Sequence, residues 1–253
     1  MELTALGLKE TVSMANANGE TSNLVLLPGI NNTGKVWSLI VANLPSDIHY
    51  YTPDVPPLED IDQIAETLLE DLPDRFHLCG FSFGGYVALA MFAMAPERIA
   101  GLSLIGSLPY EDTEQQKKAR MEGIKRAKSG GYEEMVLAQS HIVFHKANLN
   151  NPEIEQNRRE NINGYGVERY ISHQKACMNR PNRLHLLENL DIPFLMLSGD
   201  NDIVVPTNQQ EELANHLNAR FETISTAGHM APLENPSEIA QKLIPWLKEK
   251  GRD

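Results

Sequence analysis

A chain of 253 residues, 42% of them hydrophobic, is long enough for one large core or for a core carrying an inserted subdomain. No uninterrupted apolar run approaches the roughly 20 residues of a membrane span. The opening Met1-Glu2-Leu3-Thr4 lacks the basic flank and apolar segment of a signal peptide, so a cytoplasmic location is expected. A formal charge of −12 disfavours nucleic acid, anionic membrane and a large acidic carrier protein as partners.

Residues 1–20 suggest one or two short strands ending at the Asn18-Gly19 turn signal. Asn23 to Leu27 is a continuous apolar run stopped by Pro28-Gly29, the pattern of a parallel strand covered on both faces. Val36 to Leu44 follows helical spacing, Ile48 to Tyr51 is a short strand candidate, and Ile61 to Leu72 is helical again. Phe76 to Cys79 and Ile99 to Ile105 are further apolar strands, separated by a helix of small and apolar residues over Gly85 to Ala95. The alternation of strand and helix argues for a doubly wound, mostly parallel sheet with helices on both faces.

At Ser107 the rhythm breaks. Helical patterns over Asp112 to Lys128, Tyr132 to Phe144, Pro152 to Asn163 and Val167 to Met178 follow, with no buried-strand candidate among them. Residues 107–189 are therefore expected to form an α-helical cap inserted into a core made of 1–106 and 190–253. The rhythm returns with a strand at Pro193 to Leu197, a helix at Asn208 to Leu217, a strand at Phe221 to Ile224 and a closing helix from Pro236 to Lys248.

The chemistry sits in Cys79-Gly80-Phe81-Ser82-Phe83-Gly84-Gly85, between a strand and a helix. A Gly-x-Ser-x-Gly run in that position is the pattern of a nucleophile elbow. The serine occupies a tight, strained turn, and glycine at 80 and 84 removes the side chains that would collide there. The turn also aims the Phe83 amide and the start of the following helix at the serine, which favours negative charge nearby.

A serine hydroxyl is a poor nucleophile at neutral pH, so it needs a base, and the base needs an orienting acid. Candidates should lie in loops after later strands, on the same sheet edge. The loop after 193–197 offers Asp200 and Asp202, and the loop after 221–224 offers Gly228-His229. The two cysteines, Cys79 and Cys177, have no metal or disulfide spacing, and none of the eight histidines forms a His-x-x-x-His pair backed by a third ligand. No metal and no cofactor are expected. His141, His145, His173 and His185 read as polar residues of the helical segment, Asp200 as a turn residue bonding its own backbone, and the lysines and arginines of 117–128 as a solvated helix face.

Gly80-Phe81-Ser82-Phe83-Gly84-Gly85, Gly199-Asp200-Asn201-Asp202 before Val204-Val205-Pro206, Gly228-His229 and Leu26-Leu27-Pro28-Gly29-Ile30 together resemble an α/β-hydrolase-fold serine hydrolase with a helical cap, over essentially the whole chain. The resemblance implies Ser82 as nucleophile, His229 as general base and then acid, and Asp202, not Asp200, as the orienting carboxylate. It further implies the backbone amides of Ile30 and Phe83 as the oxyanion hole, although the family usually has His-Gly where this chain has Pro28-Gly29. The expected activity is a carboxylesterase acting on small to medium ester substrates through an acyl-enzyme. Lactonase, thioesterase and carbon–carbon bond hydrolase of the same fold are the alternatives, with a slow-turnover ligand receptor from a different class.

Overall fold

The computed structural model describes residues 22–188 and 190–251. The strand candidates of residues 1–20 and the Asn18-Gly19 turn lie outside the described residues. Among the described residues six parallel strands form one sheet: β1 (Ser22–Leu27), β2 (Ile48–Tyr51), β3 (Phe76–Phe81), β4 (Ile99–Ile105), β5 (Phe194–Gly199) and β6 (Arg220–Ile224), in the order β2-β1-β3-β4-β5-β6. The order reverses between β1 and β3, so a crevice opens beyond their carboxyl ends. Leu27 of β1 pairs with Gly80 of β3, which brings the loop after β1 beside the residues that follow β3.

Successive side chains of a strand point to opposite faces, and the core divides accordingly. Leu24, Leu26, Cys79, Phe81, Leu195 and Leu197 pack on one face with Trp37, with Ile40 of helix α1 (Ser38–Val41) and with Ile239, Leu243 and Trp246 of the closing helix. Val25, Leu27, Leu78, Leu102 and Leu104 pack on the other with α2 (Ile61–Glu70) and α3 (Phe83–Met94). Full burial of each such side chain contributes about 1.5–3 kcal/mol. The α3 helix runs centrally and buries Phe83, Val87, Ala88, Leu89, Ala90 and Met91, which explains its apolar character all round. Asp60 starts α2 by accepting the Asp62 and Gln63 amides at 2.8 and 3.0 Å. Cys79 is fully buried, and burial pushes its thiol up to about 12.

The described residues between β4 and β5 contain helices and no strand. They are α4 (Glu114–Arg126), opened by a Thr113/Gln116 capping box; α5 (Tyr132–Ala138); α6 (Ser140–Val143); and α7 (Pro152–Asn179). Two expectations differ here. The helix expected over Tyr132 to Phe144 divides at Gln139, because the Arg158 guanidinium donates to the Val136 carbonyl that the next α-helical turn would use. The two helices expected on either side of residue 165 run on as α7, but the chain bends at Gly166, whose φ of 80° and ψ of 164° are not helical.

Near the N-terminus, the helix expected over Val36 to Leu44 is a 3-10 turn, Gly34–Trp37, leading into the short α1. The chain finishes with α8 (Thr207–His216), α9 (Ala231–Glu234) and α10 (Pro236–Trp246). No helix among the described residues is long and apolar enough to cross a membrane.

Candidate active site

Ser82 stands between β3 and α3 with φ 51° and ψ −115°, a conformation that costs a non-glycine residue about 1–3 kcal/mol. The glycines around it make the turn possible. A Cβ on Gly80 would stand 2.4 Å from the Gly84 carbonyl oxygen, and one on Gly84 would stand 2.3 Å from that of Leu27. The turn is pinned on the β4 side as well. The Ser82 amide donates to the Ile105 carbonyl at 2.8 Å, and the Ser107 hydroxyl donates to the Ser82 carbonyl at 2.9 Å.

His229 and Asp202 come to the same sheet edge from the loops after β6 and β5. The Ser82 hydroxyl lies 3.0 Å from His229 Nε2, and His229 Nδ1 lies 2.9 Å from Asp202 Oδ2. An ionised carboxylate can only accept, so Nδ1 carries the proton and Nε2 is left free to accept from the serine. Asp202 Oδ1 accepts the amides of Val204 and Val205, both at 2.9 Å, which fixes the carboxylate plane. Both side chains are almost fully buried, and the Phe81 ring packs 5.2 Å from the imidazole.

Asp200 does something other than expected. It bonds not its own turn but the loop that carries the histidine, accepting the Thr226 amide at 2.9 Å and the Ala227 amide at 3.1 Å. The basic helix face is also not wholly solvated. Arg120 of α4 turns inward onto Asp112 and onto Gln174, 2.7 Å away, while Lys118 and Lys125 remain exposed.

The two amides expected to bind an oxyanion lie at the ends of β1 and β3, at the switch point of the sheet. The Phe83 amide opens α3. The Gly29–Ile30 peptide is oriented by the Asn32 amide, which donates to the Gly29 carbonyl at 3.2 Å. In a trans peptide the Ile30 N–H then points the opposite way. Asn31 follows with φ 63°, a left-handed conformation that asparagine tolerates.

Several residues that hold this site had no signal in the sequence. Glu234 accepts the Gly228 amide and the His145 amide, both at 2.7 Å, and the Asn148 side chain at 2.8 Å, so it ties the histidine loop to the helical segment. Burial raises its carboxyl above the usual range, against those three bonds. Asn161 of α7 accepts the Thr33 amide at 3.0 Å, and Tyr132 of α5 donates to the Asn31 side chain at 3.2 Å. Apart from Glu234–Gly228, six residues apart, these pairings span more than 80 residues, and no local spacing announces them. Ser107 is the partial exception, since it stands where the strand–helix rhythm breaks.

Among the described residues no group of three or more His, Cys, Asp or Glu side chains is placed to hold a metal ion. The arrangement is suited to nucleophilic attack by a serine oxygen at a carbonyl carbon, with a proton acceptor on one side and backbone donors on the other.

A family model described as the alpha/beta hydrolase fold matches residues 57–236. Among curated proteins, the pimeloyl-[acyl-carrier protein] methyl ester esterase of Nitrosomonas europaea is 33% identical over 99 residues, which span 36% of this chain and 39% of that protein. The protein of the same name from Aromatoleum aromaticum is 26% identical over 246 residues, covering 86% of this chain and 95% of the relative. Among solved structures, a thermophilic esterase from Thermogutta terrifontis superposes with a TM-score of 0.84 at 24% identity, covering 90% of this chain and 89% of that one. The enol-lactonase from Burkholderia xenovorans superposes with a TM-score of 0.79 at 20% identity, over 92% of this chain and 94% of that one.

Proposed function

Because the chain belongs to the alpha/beta hydrolase fold family, we propose that it is a serine hydrolase cleaving small to medium carboxylic esters through an acyl-enzyme intermediate. The observation that carries this reading is the unbroken run from Ser82 Oγ to His229 Nε2 and from His229 Nδ1 to Asp202 Oδ2, at 3.0 and 2.9 Å. The names of the similar proteins, a methyl ester esterase, an esterase and an enol-lactonase, describe the same bond type and support the same class.

In this reading Ser82 Oγ attacks the ester carbonyl as His229 Nε2 takes its proton. Asp202 holds the ring in the required tautomer and stabilises the imidazolium. The Phe83 and Ile30 amides receive the charge that develops on the carbonyl oxygen, where one such donor is worth about 3 kcal/mol of barrier. His229 then protonates the leaving alcohol, and water, activated by the same nitrogen, releases the acid. Residues 107–189 act as a cap that shapes the acyl pocket. The contacts of Asn161, Tyr132 and Glu234 between that segment and the two catalytic loops favour this division of the chain.

The test is steady-state hydrolysis of p-nitrophenyl esters of increasing acyl length. Many turnovers on short chains are expected, abolished in Ser82→Ala and reduced less than about tenfold in Asp200→Ala, whose partners are loop amides. Turnover surviving in Ser82→Ala would remove the reading.

A further inference from the structure

We infer that Tyr165 and His173 are positioning residues for the oxyanion hole, a role that rests on the serine hydrolase reading above. The bend at Gly166 brings together two side chains from opposite halves of α7, eight residues apart. Tyr165 Oη lies 2.6 Å from His173 Nδ1, and His173 Nε2 lies 2.7 Å from the Pro56 carbonyl oxygen. A carbonyl oxygen can only accept, so Nε2 bears the proton and Nδ1 is bare. The Tyr165 hydroxyl must therefore donate to His173, which leaves its oxygen as an acceptor. The Asn31 backbone N–H faces that oxygen.

That amide belongs to the peptide next to the one presenting the Ile30 N–H. The other end of the same peptide, the Ile30 carbonyl, accepts the Asn32 side-chain amide at 2.8 Å. The Ile30–Asn31 peptide thus meets Asn32 at its carbonyl and Tyr165 at its N–H, and the neighbouring Gly29–Ile30 plane shares its Cα. The second donor is reached through the same histidine, whose ring stacks on Phe83 with centroids 4.5 Å apart and planes at 23°. One buried pair thus borders Phe83 on one side and the Ile30–Asn31 peptide on the other.

A structural role alone does not account for this choice of residues. Tyr165 is 4% exposed and His173 fully buried, and polar atoms there cost stability unless every one is bonded. An apolar pair of the same size would fill the space as well or better. The hydroxyl and the imidazole are distinguished by the peptide that they orient.

The experiment measures kcat and KM for p-nitrophenyl butyrate and the affinity for n-butylboronic acid. Boron takes the Ser82 oxygen while His229 takes its proton, and a hydroxyl of the resulting tetrahedral boronate anion sits in the oxyanion hole. Tyr165→Phe should lower kcat by about 10- to 100-fold, with KM within about threefold, and weaken boronate binding by the same factor as kcat. Its thermal midpoint should stay within a few degrees of wild type. His173→Phe keeps a ring on Phe83 but loses both nitrogens and should show the same split; it decides the question if Tyr165→Phe does not fold. The double variant should be no worse than the worse single. Arg159→Ala, on the exposed face of the same helix, should change none of these constants.

Wild-type kcat and boronate affinity in both single variants, with Ser82→Ala inactive, would overturn this inference and leave the hydrolase standing. A parallel loss of kcat and thermal midpoint with boronate affinity intact would also overturn it. Turnover retained in Ser82→Ala, or a wild type that neither hydrolyses the ester nor captures the boronate, would overturn the hydrolase reading and this inference with it.

Discussion

The elbow and the helical segment each turn on a glycine, for opposite reasons. Gly84 has no unusual backbone angle; it is required because a Cβ would stand 2.3 Å from the Leu27 carbonyl oxygen and 2.8 Å from that of Pro28. Gly166 has nothing within 4 Å of where its Cβ would be, and it is required by its own φ of 80° and ψ of 164°. In the elbow, geometry is imposed by backbone closing in from β1, β3 and α3 at once. In the helical segment it is set by one permissive residue and then held by side-chain bonds that reach across the fold. In the first kind of site an added Cβ collides while a polar side chain can be exchanged, and in the second an added Cβ meets no neighbour while a lost side-chain bond is felt.

The largest expected effect tests the first half of that contrast. In Asp202→Asn the side-chain oxygen can still accept the Val204 and Val205 amides, so the loop should keep its shape. The amide nitrogen, however, then faces His229 Nδ1 and forces the ring proton onto Nε2, where it opposes the Ser82 hydroxyl. We expect kcat to fall about 10⁴-fold with little change in thermal midpoint. A large fall in midpoint would mean that the loop depends on the carboxylate charge and not on backbone closure. Gly84→Ala should do the opposite, costing about 3 kcal/mol or more of stability, because carbonyl groups cannot step aside as a flexible side chain can. Denaturant titration checks it, and a wild-type midpoint would show that α3 can shift away from β1.

The same contrast explains what could be read from the sequence. The six-stranded parallel sheet, with its helices on both faces, follows from apolar runs and helical spacings within windows of a dozen residues. The elbow is legible for the same reason, since Gly80, Ser82 and Gly84 crowd one another within five positions. Asp202 was separable from Asp200 only through the family resemblance, because both are carboxylates in one short loop. What Asp200 bonds, 26 and 27 residues away, was not legible at all. Nor was the role of Glu234, whose partners lie 6, 86 and 89 residues away. The helical segment hides its logic most thoroughly. His173 looks like any cap histidine until the bend at Gly166 sets it against Tyr165, and the break at Gln139 depends on Arg158 from a helix that comes later.

A smaller effect compares one buried histidine from each region. His77 of β3, beside Trp246, and His173 of α7 are both held down to about 4, in each case first by burial, with Arg75 and Arg169 respectively adding repulsion. The unfolded chain binds these protons near 6.5 and the folded chain does not, so stability is full above about 6.5 and declines as pH falls towards 4. Each group contributes at most a few kcal/mol to that decline. His77→Gln and His173→Gln should each flatten the fall in thermal midpoint over this window. If only the His77 variant does so, the helical segment opens locally and admits the proton before the sheet yields.

The smallest expected effect isolates the backbone term in the helical segment. Gly166→Ala adds a methyl group that meets no neighbour, so its whole cost is the conformation, about 1–3 kcal/mol for a side chain held in that region. Two outcomes are physically distinct. If the bend persists, the strain appears as a modest fall in thermal midpoint, and kcat stays near wild type because Tyr165 and His173 still meet. If α7 straightens to relieve the strain, the midpoint recovers, but residues 165 and 173 move about 12 Å apart along a continuous axis, at 1.5 Å per residue. Tyr165 then leaves the Asn31 amide and kcat should fall as it does in Tyr165→Phe. We expect the first outcome, because straightening would also pull Asn161 from Thr33, and the bonds on both sides of the bend resist it together. Measuring midpoint and kcat on the one variant separates the cases. A fall in kcat without a fall in midpoint would show that the bend is held by the glycine alone and not by the contacts around it.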